Sequence, residues 1–233
     1  KDEFDTNGCG DSYGIADITW PNLTVAPELK TLKSLFSHNC NIQKIKAPKI
    51  TAPKLTDISY AFANLGTVNT LDLDDFDTSN VENMEGLFAG NSSRFNTAYR
   101  AKISLNTSNV KNMSKLFHYT YVSYLDLSDL DVRKVTNFSK AFDYTWLYEL
   151  DLTNWNTISA TDMSNMFGGS TWLTKIYASD SFVTTNVTSY NGIFRSLSSY
   201  RGQAGSAIPN DNSIEYARID GGAANPGAFW RKP

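Results

Sequence analysis

The chain has few of the residues that usually carry chemistry. Its 233 residues include two histidines, two cysteines and four methionines, and charged residues make up only 19% with a formal net charge of −3. No basic run occurs, so binding to nucleic acid or to an anionic membrane lacks an electrostatic footing. No apolar stretch reaches the roughly 18 residues needed for a spanning helix, which argues against membrane insertion. The two histidines, His38 and His118, fall in repeats about three coil spacings apart, or roughly 14 Å, too far to share a site. Ser-His-Asp, Cys-His and zinc-ligand spacings are all absent. The expectation is therefore a protein that is not an enzyme and carries no cofactor. Cys9 and Cys40 would be bridged if the N-terminal segment folded over the first repeat, as secreted proteins permit; otherwise Cys40 packs in the core.

What the chain does have is a phenylalanine that returns every 25 to 29 residues, at Phe36, Phe62, Phe88, Phe117, Phe142, Phe167 and Phe194. Apolar side chains recur seven, four and one residues before it, as in Val135, Phe138 and Ala141 ahead of Phe142. Offsets of three, three and one predict one face of a short helix. Short alternating runs lie between these segments: Leu71-Asp72-Leu73, Ile103-Ser104-Leu105, Leu125-Asp126-Leu127 and Leu150-Asp151-Leu152. They predict strands with one buried face. The fold expected is α/β: a leucine-rich-repeat solenoid of about seven strand–helix coils. Residues 27–200 would form the repeats, with an N-terminal cap at 1–26 and a C-terminal cap at 201–233. Thr-Ser-Asn tripeptides at 78–80 and 107–109 would cap the helices, and repeated Asn would bond from coil to coil. The sequons at Asn22, Asn91, Asn106, Asn112, Asn137 and Asn186 are largely by-products of the repeat.

The segment Leu71-Asp-Leu-Asp-Asp-Phe-Asp-Thr-Ser-Asn-Val-Glu-Asn-Met-Glu-Gly-Leu-Phe88 resembles the repeat of BspA-like leucine-rich-repeat surface proteins. Partial copies recur at Thr107–Met113 and Leu150–Thr157, and the closing Ile219-Asp220-Gly221-Gly222 is also similar to that family's. The resemblance implies an extracellular adhesin on the bacterial cell surface, with host mucin, glycoprotein or extracellular matrix as partners. It also implies that the chain is an excised region of a longer secreted protein. Oligomeric state stays open.

Binding residues follow from the aromatics that gather after the repeating Phe in the fourth to sixth units. Tyr121, Tyr124, Tyr144 and Tyr148 are expected to be exposed, with Trp146 and Trp172 filling the core. Asp126, Glu149 and Asp151 should alternate outward from the strands, giving a polar, mildly acidic sheet face. An insertion at residues 91–102 would add Arg94, Tyr99 and Arg100 at one edge. Stacked aspartates such as Asp72, Asp126 and Asp151 suggest a calcium ladder, but they are not repeated in every unit and the loop has no sharp-turn glycine, so no metal is expected. Asp126 and Asp151 are the one carboxylate pair to weigh for glycoside hydrolysis, and exposed acids on a flat face lack the pocket that would tune them. Alternatives to an adhesin are a structural spacer and, less favoured, an enzyme acting on polysaccharide.

Overall fold

The computed structural model describes residues 17–19, 25–39, 42, 44–47, 49–66, 70–91, 100–122, 124–197, 199–208 and 213–233. Both cysteines, Arg94 and Tyr99 lie outside them. Seven three-residue strands follow one another: β1 (Asp17–Thr19), β2 (Lys44–Lys46), β3 (Thr70–Asp72), β4 (Arg100–Lys102), β5 (Tyr124–Asp126), β6 (Glu149–Asp151) and β7 (Lys175–Tyr177). All pairings are parallel, in the orders β1-β2-β3 and β4-β5-β6-β7. Within each sheet the central residue of each strand sits in register with the next, as Leu125 on Leu150 on Ile176, and these three are buried. The strand alternation was thus legible at Leu71, Leu125 and Leu150. The run at Ile103 was read two residues late, since Ala101 holds the place of Leu125, and the strands Asp17–Thr19, Lys44–Lys46 and Lys175–Tyr177 were missed.

The expected helices do not form. Among the described residues there is no α-helix, only a single 3-10 turn at Ile214–Tyr216, so the strand–helix leucine-rich-repeat solenoid is incorrect. The segments around each Phe are overlapping tight turns instead. In the Phe142 repeat, the Ala141 and Asp143 N–H groups donate to the carbonyls of Phe138 and Lys140. The N–H groups of Phe138, Lys140, Phe142 and Tyr144 donate outward, to Asp162, Ser164, Met166 and Gly168 of the next repeat. A helix would spend every one of these donors within itself. Here alternate donors join one coil to the next, which satisfies buried backbone while stacking the repeats.

This geometry requires left-handed backbone two residues either side of the Phe. Lys140 and Tyr144 have φ of 57° and 55°, and Gly86, Gly90, Gly169 and Gly192 take the same positions in other repeats. The left-handed conformation costs a non-glycine residue about 1–2 kcal/mol, so the coil-to-coil bonds and the burial must outweigh it. Asp57, Asn83, Asn112, Asn137 and Asp162 promote the turns, each side chain accepting the N–H two residues on. Such bonds compete with a helix for the same amides. The Thr-Ser-Asn motifs accordingly cap no helix: the Thr78 and Thr107 hydroxyls donate to the carbonyls of Asn106 and Asp131 in the next coil.

The expected Asn ladder is present. Asn112 Nδ2 donates to Asn83 Oδ1 at 3.0 Å, and Asn83 Nδ2 to Asp57 Oδ1 at 3.1 Å. Asn112→Ala is expected to cost about 1–2 kcal/mol in urea unfolding, because the Ser114 N–H and Asn83 Oδ1 both lose a partner. Asn112→Asp keeps the acceptor for Ser114 and should cost less.

The core is a file of phenylalanine rings. Phe36, Phe62, Phe88, Phe117, Phe142, Phe167 and Phe194 stack at centroid spacings of 5.3–6.1 Å with interplanar angles of 5–17°. The file and the parallel bridges Asp57–Asn83–Asn112–Asn137 run without a break past residues 92–99, although β3 and β4 do not pair. Phe229, from the C-terminal segment, closes it edge-on against Phe167 and Phe194. Asp220 knits that segment together, accepting N–H groups from Ala204, Ser206, Gly222 and Gly227. Burial alone would raise its pKa, but bonds from Ser206, Gly222 and Ala204 outweigh this and hold it below the usual carboxylate value.

Candidate functional site

After each Phe the chain leaves the turns in a strict alternation. In the fifth unit Thr145 is buried, Trp146 exposed and Leu147 buried; in the fourth, Thr120, Tyr121 and Val122 repeat the pattern. The inward places belong to Val122, Leu147 and Leu173, so the aromatic residue before each one faces solvent. Trp146 and Trp172, expected in the core, are therefore on the surface, at 40% and 49% exposure. Only Trp155 is fully buried among the described tryptophans.

The exposed rings are in register. Tyr121 stacks on Trp146 at 4.2 Å and Trp146 on Trp172 at 5.7 Å, while Tyr148 meets Trp172 edge-on at 6.0 Å. A second file runs beside them: Tyr119 and Tyr144, at the left-handed positions, lie parallel at 4.8 Å. In the next coil that position is Gly169, where a Cβ would stand 2.7 Å from the Tyr144 ring. Glycine there is required both by the backbone and by the ring resting on it.

The other expected binding residues divide. Tyr121, Tyr144 and Tyr148 are exposed members of the strip. Tyr124 and Glu149 are half-buried neighbours in register with Lys175, whose ammonium bonds Glu149 at 2.9 Å. Asp126 is half-buried and accepts the backbone and hydroxyl of Ser128. Arg100 opens β4. Asp151 is a correction: expected on the open face, it is 5% exposed and paired with Lys232 of the C-terminal segment. Burial would raise its pKa, yet Lys232 and Thr153 outweigh that and lower it. Its role is to tie the terminal segment to the sheet. Among the described residues no group of three or more His, Cys, Asp or Glu is placed to hold a metal ion.

One cluster was missed in the sequence. Beneath the tyrosine file, His118 Nδ1 lies 3.4 Å from Asp143 Oδ2, and Arg195 Nη2 lies 3.3 Å from Asp143 Oδ1. Arg195 also donates to the Tyr144 hydroxyl and stands 5.2 Å from its ring centroid. Burial pushes Asp143 up to about 6, against the opposing pull of Arg195 and Lys140. Asp143 and His118 are both buried, so the cluster supports the tyrosines from below.

The DUF285 family, described as a Mycoplasma protein of unknown function, matches residues 30–122 and again residues 95–207. The chain belongs to this family. The two DUF285 matches overlap at residues 95–122 and together span the phenylalanine file from Phe36 to Phe194, so the family signature is the coil itself. The aromatic strip falls inside it. No curated protein and no solved structure matches the chain.

Proposed function

We propose that this DUF285 chain is a binding module of a bacterial cell-surface protein, an adhesin that holds host mucin, glycoprotein or extracellular matrix. The observation that carries the proposal is the aromatic strip. Tyr119, Tyr121, Tyr144, Trp146, Tyr148 and Trp172 are each 37–49% exposed and stand in register over three coils. Single exposed rings need no explanation, whereas a contiguous set marks a contact surface. Stacked rings with polar edges suit the flat faces of sugars, and Tyr and Trp bury much area at little entropic cost. The resemblance to BspA-like surface repeats points to the same class. A spacer would be better served by an evenly polar surface. The carboxylate pair weighed for polysaccharide cleavage is not open to a substrate, because Asp151 is buried under Lys232.

The test is binding to immobilised mucin, native and deglycosylated, by the wild type and by a Tyr121→Ala, Trp146→Ala double variant. Native mucin should be bound, deglycosylated mucin much less, and the variant should lose at least about tenfold in affinity. Equal binding by variant and wild type would place the site elsewhere, and no binding to either surface would favour the spacer.

A further inference from the structure

The sixth coil is bare where its neighbours carry side chains. Gly168 and Gly169 follow Phe167, where Asp143 and Tyr144 follow Phe142 one coil earlier. Arg195, one residue after Phe194 in the seventh coil, reaches back across this gap to the fifth, and its guanidinium stands 5.2 Å from the Tyr144 ring centroid. A Cβ at Gly168 would stand 2.8 Å from Asp143 Oδ1, so the bare coil leaves room for the contact. The guanidinium divides its fork among three groups. Nε donates to Asn165 Oδ1 at 3.1 Å, Nη1 to the Tyr144 hydroxyl at 3.2 Å and Nη2 to Asp143 Oδ1 at 3.3 Å. One end of this bridge is the buried Asp143 carboxyl and the other is an exposed ring of the aromatic strip.

We infer that Arg195 is a positioning residue of the aromatic strip: it holds the Tyr144 ring in its outward place, and the charge on buried Asp143 sets how firmly it does so. The inference deepens the proposed function by naming a regulator of the same surface, and for the ligand it rests on that reading.

A carboxylate taken out of water needs a countercharge within reach. When charged, Asp143 fixes the guanidinium, whose rigid plane then sets the direction of the bond to the Tyr144 hydroxyl. Tyr119, stacked on Tyr144 at 4.8 Å, is aligned with it. When protonated, Asp143 is a neutral acceptor, and its bond to Arg195 falls to about half the strength. Burial keeps the proton on Asp143 up to about pH 6, so the hold is firm above that pH and slack below it. Among the described residues, the charged and titratable groups that face the carboxyl are His118 from the preceding coil, 3.4 Å from Oδ2, Arg195 from two coils further on, and Lys140 from its own. The Tyr119 and Tyr144 hydroxyls face Arg195. The charge on Asp143 thus lowers the stability of the fold at neutral pH and tightens the strip there, two effects of opposite sign.

The experiment measures binding of the whole chain to immobilised native mucin at pH 7 and pH 5, for the wild type, Asp143→Asn, Arg195→Gln and the double variant. It also follows the Tyr144 ring resonances by NMR over the same range without ligand. The wild type should bind about fivefold more weakly at pH 5, the difference between a charge-assisted and a neutral hydrogen bond. Asp143→Asn should bind at both pH values as weakly as the wild type does at pH 5, and Arg195→Gln should be weak at both. Arg195→Gln leaves a buried carboxylate unpaired; the double variant does not, and it should show the same weak binding with an intact fold. The Tyr144 resonances should shift with a midpoint near pH 6 in the wild type, stay flat in Asp143→Asn and shift far less in Arg195→Gln. Wild-type affinity equal at the two pH values, a fall retained in Asp143→Asn, or wild-type affinity in the double variant would each overturn the inference and leave the adhesin reading standing. No mucin binding at either pH would sink the adhesin reading, and the Tyr144 titration would then decide. A midpoint near pH 6 that Asp143→Asn abolishes supports the hold, and resonances flat in the wild type, or unchanged by Arg195→Gln, overturn it.

Discussion

Replacing Phe142 by alanine is expected to lower the unfolding free energy by about 3–5 kcal/mol, the range for truncating a large buried aromatic. The ring is fully buried, stacked at 5.9 Å on both Phe117 and Phe167, and tilted against Trp155 at 5.9 Å. Each coil contacts mainly its neighbours, so a cavity in the middle of the file also weakens the coupling between the two halves. Phe36, the first ring of the described file and 4% exposed where Phe142 is fully buried, should lose less when truncated. Urea unfolding of both variants checks this. Equal losses would mean that the rings act independently and that the file has no collective role.

The second large effect concerns pH. Asp143 holds its proton up to about pH 6, against an ordinary value of 3.8. In that interval the folded state binds more protons than the unfolded chain, so the contribution of Asp143 to stability is fully present below about pH 4 and falls as pH rises through 6. The shift corresponds to about 3 kcal/mol, lost by pH 7. Asp143 faces His118 from the preceding coil, Arg195 from two coils further on and Lys140 from its own. Asp143→Asn keeps the shape without the charge. It should be at least as stable as wild type at pH 7, and its melting temperature should lack the fall between pH 4 and 6. Asp72, Asp131 and Asp151 act in the opposite sense below that window, since their lowered pKa values give stability that is lost only as pH drops beneath the usual carboxylate range. A wild-type profile that rises from pH 4 to 6 would contradict the assignment.

The residues that face inward were legible in the sequence; the backbone that carries them was not. Val135, Phe138, Ala141 and Phe142 are all fully buried, as their spacing implied. Offsets of three, three and one report a shared face, and a run of tight turns satisfies them as well as a helix does. The deciding signal was the glycines two residues from the repeating Phe, at Gly86, Gly90, Gly169 and Gly192, which a helix interior would disfavour. Trp146 and Trp172 were misplaced because each was read as standing in for a core leucine, when Leu147 and Leu173 directly follow and take that place. The fate of Asp151 depends on Lys232, 81 residues away, and no local pattern announces that contact. The same holds for His118, Asp143 and Arg195, which meet only through the coil register.

The central claim is that the aromatic strip is the contact surface, and residue-resolved oxidative footprinting in the presence and absence of native mucin tests it most directly. Trp146, Trp172 and Tyr121 should be oxidised readily in the free protein and protected when mucin is bound, while buried Trp155 stays unreactive in both states. Mucin bound with the oxidation of Trp146 and Trp172 unchanged would contradict the account.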